Sequence, residues 1–413
     1  MRTLRVIVVA LLVAFAAAPP AHAAARTPIV LFPAFHFTKL RVTVHGQSVD
    51  RGCPRSGSFE DWFLNDHPST TFSQVCRDEL MTLRYLPVPF VPMPRRFFDQ
   101  RGVSVSIIDY GSTASAPFYE PMYEALEAAG YVRDRDIRVA GYDSRLGPDQ
   151  DGFLERTKRL IEATYRANGN TPVHLVGHSN GPIYAEYLLT HTSRAWKARY
   201  IHGFTPIAGN FPGQGSLYPI LFTGLNIEDF SFPTTVENAR SSARMYLSAP
   251  SSYISAADPR VFGSRETVVE DEATGRDYTP RDYPRLFSDA GLPWARQIAD
   301  YYIGFTRMSS RASFPMVDVY AEKGSGIDTV VGLGLHGLTV GQPLDPALPA
   351  FTRDGDVNQE DITNEAVGAW RAMPCFHFSL TDNPGVDHFS LPSDAGVLQR
   401  LIADAARPRS RCG

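Results

Sequence analysis

Three side chains in this sequence have the types and order needed to turn a serine into a nucleophile. The first is Ser179, in the G-x-S-x-G turn Gly177-His178-Ser179-Asn180-Gly181. An apolar run, Val173 to Val176, precedes the turn, and a helical pattern with Ile183, Tyr187 and Leu188 on one face follows it. A sharp reversal from strand to helix holds its apex residue in a strained backbone and lifts that side chain clear of the sheet. Glycines two before and two after the serine let strand and helix pass closely. Pro182 fits early in the helix, where its missing N–H is not needed.

A serine hydroxyl attacks a carbonyl only when a base takes its proton and a carboxylate fixes the tautomer of that base. Among the histidines after Ser179, His191 closes the nucleophile helix, His202 and His377 fall inside expected strands, and His336 comes before the expected acid. His388 lies in the loop Asn383 to Phe389, just after the last expected strand. That is where the chain order Ser, acid, His of the α/β-hydrolase arrangement puts the base. For the acid, Asp354 and Asp356 in Arg353-Asp-Gly-Asp-Val357 compete with Asp328. Order and spacing alone leave Asp328 and Asp356 both open.

The elements around these residues alternate. Pro28 to Phe32 reads as a strand running into Pro33 to Thr38, a loop placed to supply an oxyanion donor. Val103 to Tyr110 reads as a strand, Met122 to Gly130 as a helix, Ile137 to Asp143 as a strand and Gly152 to Asn168 as an amphipathic helix. The nucleophile strand and the strand Tyr200 to Ala208 follow. This order predicts a mostly parallel central sheet with helices on both faces. From Asn210 to about Ala312 the periodicity weakens, and a segment of that length is too long for a simple loop, so it reads as an inserted cap. Pro315 to Tyr320 and Phe376 to Leu380 resume the sheet, and Pro392 to Ala406 ends it with a helix. The expected organisation is a leader over 1–23, a first core part over 24–209, a cap over 210–312 and a second core part over 313–413. Within the first part, residues from about 45 to 100 form a lid and a lipid-facing segment.

Arg2 and Arg5, the apolar run Val6 to Ala18 and the small residues up to Ala23 have the layout of a cleaved signal peptide. A secreted, lysosomal or other lumenal location follows from that reading. Cys53, Cys76, Cys375 and Cys412 form an even set suited to two disulfides. Neighbours in sequence are the favoured partners among three possible pairings. A Cys53–Cys76 bridge would close a loop carrying Trp62 and Phe63, an aromatic pair expected to contact lipid. Between Leu83 and Phe98, Pro87, Pro89, Pro92 and Pro94 exclude a regular helix. That apolar run, flanked by Arg95 and Arg96, suits either a lipid surface or packing under a loop. A net charge of −4 argues against nucleic acid as the main partner. No C-x-x-C or His/Cys cluster suggests zinc, and no metal or cofactor is expected.

Several segments resemble the lecithin:cholesterol acyltransferase family, which includes the lysosomal phospholipase A enzymes. They are Gly130 to Arg138 leading to Tyr142-Asp-Ser-Arg145, the elbow itself, Ala195 to Ile201, Tyr278 to Phe287, and Asp354-Gly-Asp356. The resemblance runs from about Thr27 to the end. It implies a serine-dependent lipid acyl hydrolase or acyltransferase acting on phospholipid at a membrane or lipoprotein surface, with water or a lipid alcohol as acyl acceptor. It implies Asp356 as the acid, the N–H groups of Phe35 and Asn180 as oxyanion donors, and a Cys53–Cys76 lid with Trp62 for lipid contact. The chain departs from the family pattern at Ala34 and Phe37, at Asn180 and at Val357-Asn358. A retired hydrolase that only binds or carries lipid is the competing reading of those departures.

Overall fold

A computed structural model describes residues 26–46, 52–63, 71–226, 231–308, 310–410 and 412. The expected leader lies outside these residues, as do 47–51 and 64–70 of the lid region. Six strands form the central sheet in the order Phe378–Pro384, Val319–Ser325, Ile201–Ile207, Val173–His178, Ile29–Phe32, Ile137–Val139, and every pairing is parallel. Successive side chains of a strand point to opposite faces, and both faces are covered here. Val30 and Phe32 pack on one side with Leu160, Ile161, Ile183 and Leu188. Ile29 and Leu31 pack on the other with Met122, Leu126, Val397 and Leu401. Strands buried on both faces are largely apolar: Ile29–Phe32 and Val173–His178 carry no exposed residue, and the buried His174 and His178 are hydrogen-bonded.

The helices follow their apolar periodicity. Phe153–Ala167 buries Phe153, Thr157, Leu160, Ile161 and Thr164, a single stripe facing the sheet. Gly181–Thr190 is buried on nearly every side.

Two strand readings need correction. Val103–Ile107 is not in the central sheet; it pairs antiparallel with Leu40–His45, which pairs antiparallel with Ser56–Asp61. Its alternating Val and Ser residues suit a sheet with one wetted face, and the strand is only partly buried. The polar stretch after Gly46 therefore contains a strand as well as turns. The strand expected over Pro315 to Tyr320 starts later, at Val319, after Met316 takes a φ of 59°.

A second sheet of four strands, in the order Arg276–Tyr278, Val269–Asp271, Ile327–Leu335, Ala350–Gly355, joins the 210–312 segment to the chain that follows it. Both cysteine pairs favoured by proximity, Cys53–Cys76 and Cys375–Cys412, are disulfide-bonded. Among the described residues no helix is long and apolar enough to cross a membrane.

Candidate active site

Ser179 stands between the strand Val173–His178 and the helix Gly181–Thr190, with φ at 59°. A non-glycine residue pays for this left-handed backbone, so the conformation persists only where its surroundings hold it. They do so through two backbone bonds: Ser179 N–H donates to Ile207 O at 3.0 Å, and Asn210 N–H donates to Ser179 O at 2.8 Å. Both flanking glycines are needed for clearance. A Cβ on Gly177 would meet Pro182 N at 2.7 Å, and one on Gly181 would overlap the carbonyl oxygen of Phe32.

His388 and Asp356 meet although 32 residues separate them: His388 Nδ1 lies 3.2 Å from Asp356 Oδ2. Both are buried, at 1% and 0% exposure. The backbone fixes the pair as well, since His388 N–H donates to Asp356 O at 2.8 Å. The other carboxylate oxygen, Oδ1, accepts from Gln359 N–H at 2.7 Å and Asn358 N–H at 3.3 Å. A carboxylate held by backbone donors at one oxygen and an imidazole at the other keeps the ring's Nδ1 protonated, leaving Nε2 as the basic nitrogen. Asp328 and Asp354 face each other across the second sheet and are both exposed. Of the other histidines, His336 is exposed between Glu272 and Asp345, and His202 binds the Arg407 carbonyl.

Ser179, His388, Phe35 and Asn180 line one narrow pocket of about 50 Å³, with Leu217, Ile220, Leu225 and Phe389 as its apolar wall. Asn180 caps the nucleophile helix, where first-turn N–H groups have no helical acceptor. Among the described residues no acceptor within the chain takes the N–H of Phe35 or of Asn180. The Asn180 side chain is engaged elsewhere: its Oδ1 accepts from Asn210 Nδ2 at 3.1 Å and from Ser255 Oγ at 2.9 Å. Neither partner is legible from sequence, because each comes from beyond the next strand with no motif around it.

The aromatic pair of the expected lid divides. Trp62 is half-buried, with Lys39 Nζ 5.9 Å from its ring centre. Phe63, expected to contact lipid, is instead buried, stacked on Phe37 at 4.5 Å and against Phe389 at 5.5 Å. It belongs to the packing that backs the pocket.

Tyr119 and His178 also reach this centre. Ala34 N–H donates to Tyr119 Oη at 2.8 Å, Tyr119 Oη lies 3.1 Å from His178 Nδ1, and His178 Nε2 lies 2.9 Å from the carbonyl oxygen of His388. His178 was visible inside the elbow motif, but nothing in the sequence marks Tyr119.

Residues 97–290 match the model of the lecithin:cholesterol acyltransferase family. The chain is 27% identical over 317 residues to lysosomal phospholipase A and acyltransferase of Mus musculus, covering 73% of this chain and 72% of that one. It is also 27% identical over 323 residues to phosphatidylcholine-sterol acyltransferase of Homo sapiens, covering 73% and 68% respectively. A chain in the crystal structure of the Tle4–Tli4 complex superposes with a TM-score of 0.53 at 12% identity, covering 92% of this chain and 98% of that one. At that identity the likeness speaks for the fold alone, which is that of an α/β-hydrolase.

Proposed function

We propose, from the premise that this chain is a relative of the lecithin:cholesterol acyltransferase family, that it cleaves an acyl ester of a glycerophospholipid through an acyl-serine. The observation that carries this reading is the strained Ser179 sharing a pocket with His388, whose Nδ1 is 3.2 Å from the buried Asp356. Ser179 Oγ attacks the ester carbonyl carbon while His388 Nε2 takes its proton. The oxyanion sits between the N–H groups of Phe35 and Asn180, each such donor being worth about 3 kcal/mol in the transition state. His388 then gives the proton to the departing alkoxide. Water or a lipid alcohol, deprotonated by the same imidazole, attacks the acyl-serine and frees Ser179.

A pocket of about 50 Å³ has no room for a fatty acyl chain, so substrate entry requires the lid and cap to move apart. The surface that meets lipid is the loop between Arg84–Tyr85 and Phe97–Phe98. Phe90 there is 97% exposed, with Leu86 and Val88 more than two-fifths exposed beside it. Two disulfides and the leader-like N-terminus support a lumenal or secreted location.

The test is release of fatty acid and lysolipid from phosphatidylcholine vesicles, with and without a sterol or a short lipid alcohol. Ser179→Ala is expected to abolish both release and labelling by a fluorophosphonate while leaving the fold intact. Retained hydrolysis in the purified variant sinks the proposal. A wild-type protein that binds vesicles yet takes no fluorophosphonate is a lipid carrier instead.

A further inference from the structure

The oxyanion loop and the base loop come from opposite ends of the chain, yet the reaction proposed above needs them in register with Ser179. A misplacement of about 1 Å in such a site costs on the order of 10²-fold in rate. Between them lie two side chains to which that chemistry gives no part. Tyr119 is 1% exposed and His178 is 0% exposed, and both sit against the end of the nucleophile strand.

The polarity of their hydrogen bonds follows from the end groups. The carbonyl oxygen of His388 can only accept, so His178 Nε2, 2.9 Å away, carries a proton. Complete burial and the neighbouring His388 hold His178 well below the usual histidine range, so its ring is neutral and Nδ1 is a bare acceptor. Tyr119 Oη, 3.1 Å from that nitrogen, must therefore be the donor. Its lone pair is then left for Ala34 N–H at 2.8 Å, which can only donate. Each group has one role, and every donor and acceptor in the series is used. Ala34 immediately precedes Phe35, the proposed oxyanion donor, and the far end grips the backbone of the base itself.

We propose that Tyr119 and His178 are positioning residues that fix the oxyanion loop and the base loop to one another. They do so through a one-directional series: Ala34 N–H to Tyr119 Oη, Tyr119 O–H to His178 Nδ1, and His178 Nε2–H to the His388 carbonyl. Neither side chain touches substrate. The series spans the back of the pocket, so the distance from oxyanion donor to base is set without relying on lid or cap. The inference rests on the serine mechanism proposed above.

The test compares Tyr119→Phe, His178→Gln, His178→Leu and the double variant Tyr119→Phe/His178→Gln with wild type. Tyr119→Phe keeps the ring and its packing but can neither accept from Ala34 nor donate to His178. It is expected to lower kcat about 10- to 100-fold with KM within about twofold. His178→Gln, which keeps an N–H to offer the His388 carbonyl, should retain more activity than His178→Leu. The double variant should lose no more than the worse single one, because the two residues act as one unit. Losses that multiply and follow the fall in Tm would make the pair ordinary core and overturn the proposal, as would an unchanged kcat in folded Tyr119→Phe. Nitrogen shifts of the His178 ring and backbone amide shifts of Phe35 and His388 measure the tie without turnover. Wild type should show a neutral ring protonated at Nε2, and Tyr119→Phe should move the amides of both loops. A charged ring, an Nδ1–H tautomer or movement confined to Phe35 refutes the tie even if no ester is ever cleaved. A wild-type protein with no esterase activity refutes the serine mechanism, and the catalytic part of this proposal with it.

Discussion

The backbone is constrained both at the Ser179 elbow and in the loop from Arg84 to Phe98, but by different means and to opposite uses. At the elbow, close approach of strand and helix and two backbone bonds confine a polar side chain to a strained apex inside the protein. In the loop, four prolines remove backbone donors, and Arg96 ties two of its carbonyls down. Its Nε donates to Val91 O at 2.8 Å, and a terminal nitrogen donates to Pro89 O at 3.2 Å. The result is an apolar tip, Phe90, held out into solvent. One region buries a reactive group and the other exposes an inert one. Chemistry and surface attachment should therefore separate under mutation.

Asp356→Asn strikes the first region hardest. The amide cannot hold the His388 ring in the tautomer that leaves Nε2 free, so turnover should fall about 10³- to 10⁴-fold on soluble and vesicle esters alike. A loss confined to vesicles would break the separation. Phe90→Asp strikes the second region. Burying a phenylalanine contributes about 1.5–3 kcal/mol, so vesicle binding measured by sedimentation should weaken about 10- to 100-fold. Hydrolysis of a short-chain soluble ester should be unchanged; if it drops equally, the loop is part of the site rather than its anchor.

The smallest effect concerns the helix Gln74–Met81, which carries Cys76 of the Cys53–Cys76 disulfide. Burial pushes the carboxyl of Asp78 up to about 8, even though Ser241 Oγ donates to it at 2.8 Å from the cap helix Val236–Ser248. A carboxyl raised above its unfolded value near 4 contributes its full stability below that value and loses it as pH rises through the folded one. Wild-type Tm should therefore fall between about pH 4 and pH 8 by an amount that Asp78→Asn removes, on the order of 2–5 °C. Parallel melting curves for the two proteins across that range would show that the carboxyl does not couple lid and cap.

Much of the catalytic region was legible because its constraints are local. A glycine-flanked serine between an apolar run and a helical stripe leaves the backbone one way to turn. Solid apolar runs such as Ile29–Phe32 announce strands buried on both faces. The cysteine pairs followed from proximity alone. What stayed hidden is what depends on partners far along the chain. Ser56–Asp61 is polar and glycine-containing, and it becomes a strand only because Leu40–His45 offers it an edge. Val103–Ile107 was recognisable as a strand, but its destination was not, although the Val/Ser alternation already pointed to a half-wetted sheet. The choice between Asp328 and Asp356 could not be made from spacing, because Asp328 stands at an exposed position of the strand Ile327–Leu335 while the turn after Ala350–Gly355 brings Asp356 inward. Phe63 looked like a surface aromatic beside Trp62, and the rings of Phe37, Phe118 and Phe389 packed around it make it core.

The second sheet carries a consequence for engineering. The strand Ile327–Leu335 pairs on one side with Val269–Asp271 from the 210–312 segment and on the other with Ala350–Gly355, the strand that ends one residue before Asp356. The 210–312 segment is thus not an interchangeable part. A chimera that takes residues 210–312 from a relative would import two strands without the neighbour they were fitted to, and would leave Ile327–Leu335, the partner of the strand leading to Asp356, against an edge not fitted to it. The smallest transplantable unit is the cap together with the chain through Gly355. Exchanging acceptor preference between such proteins then means moving part of the catalytic apparatus along with the roof above it.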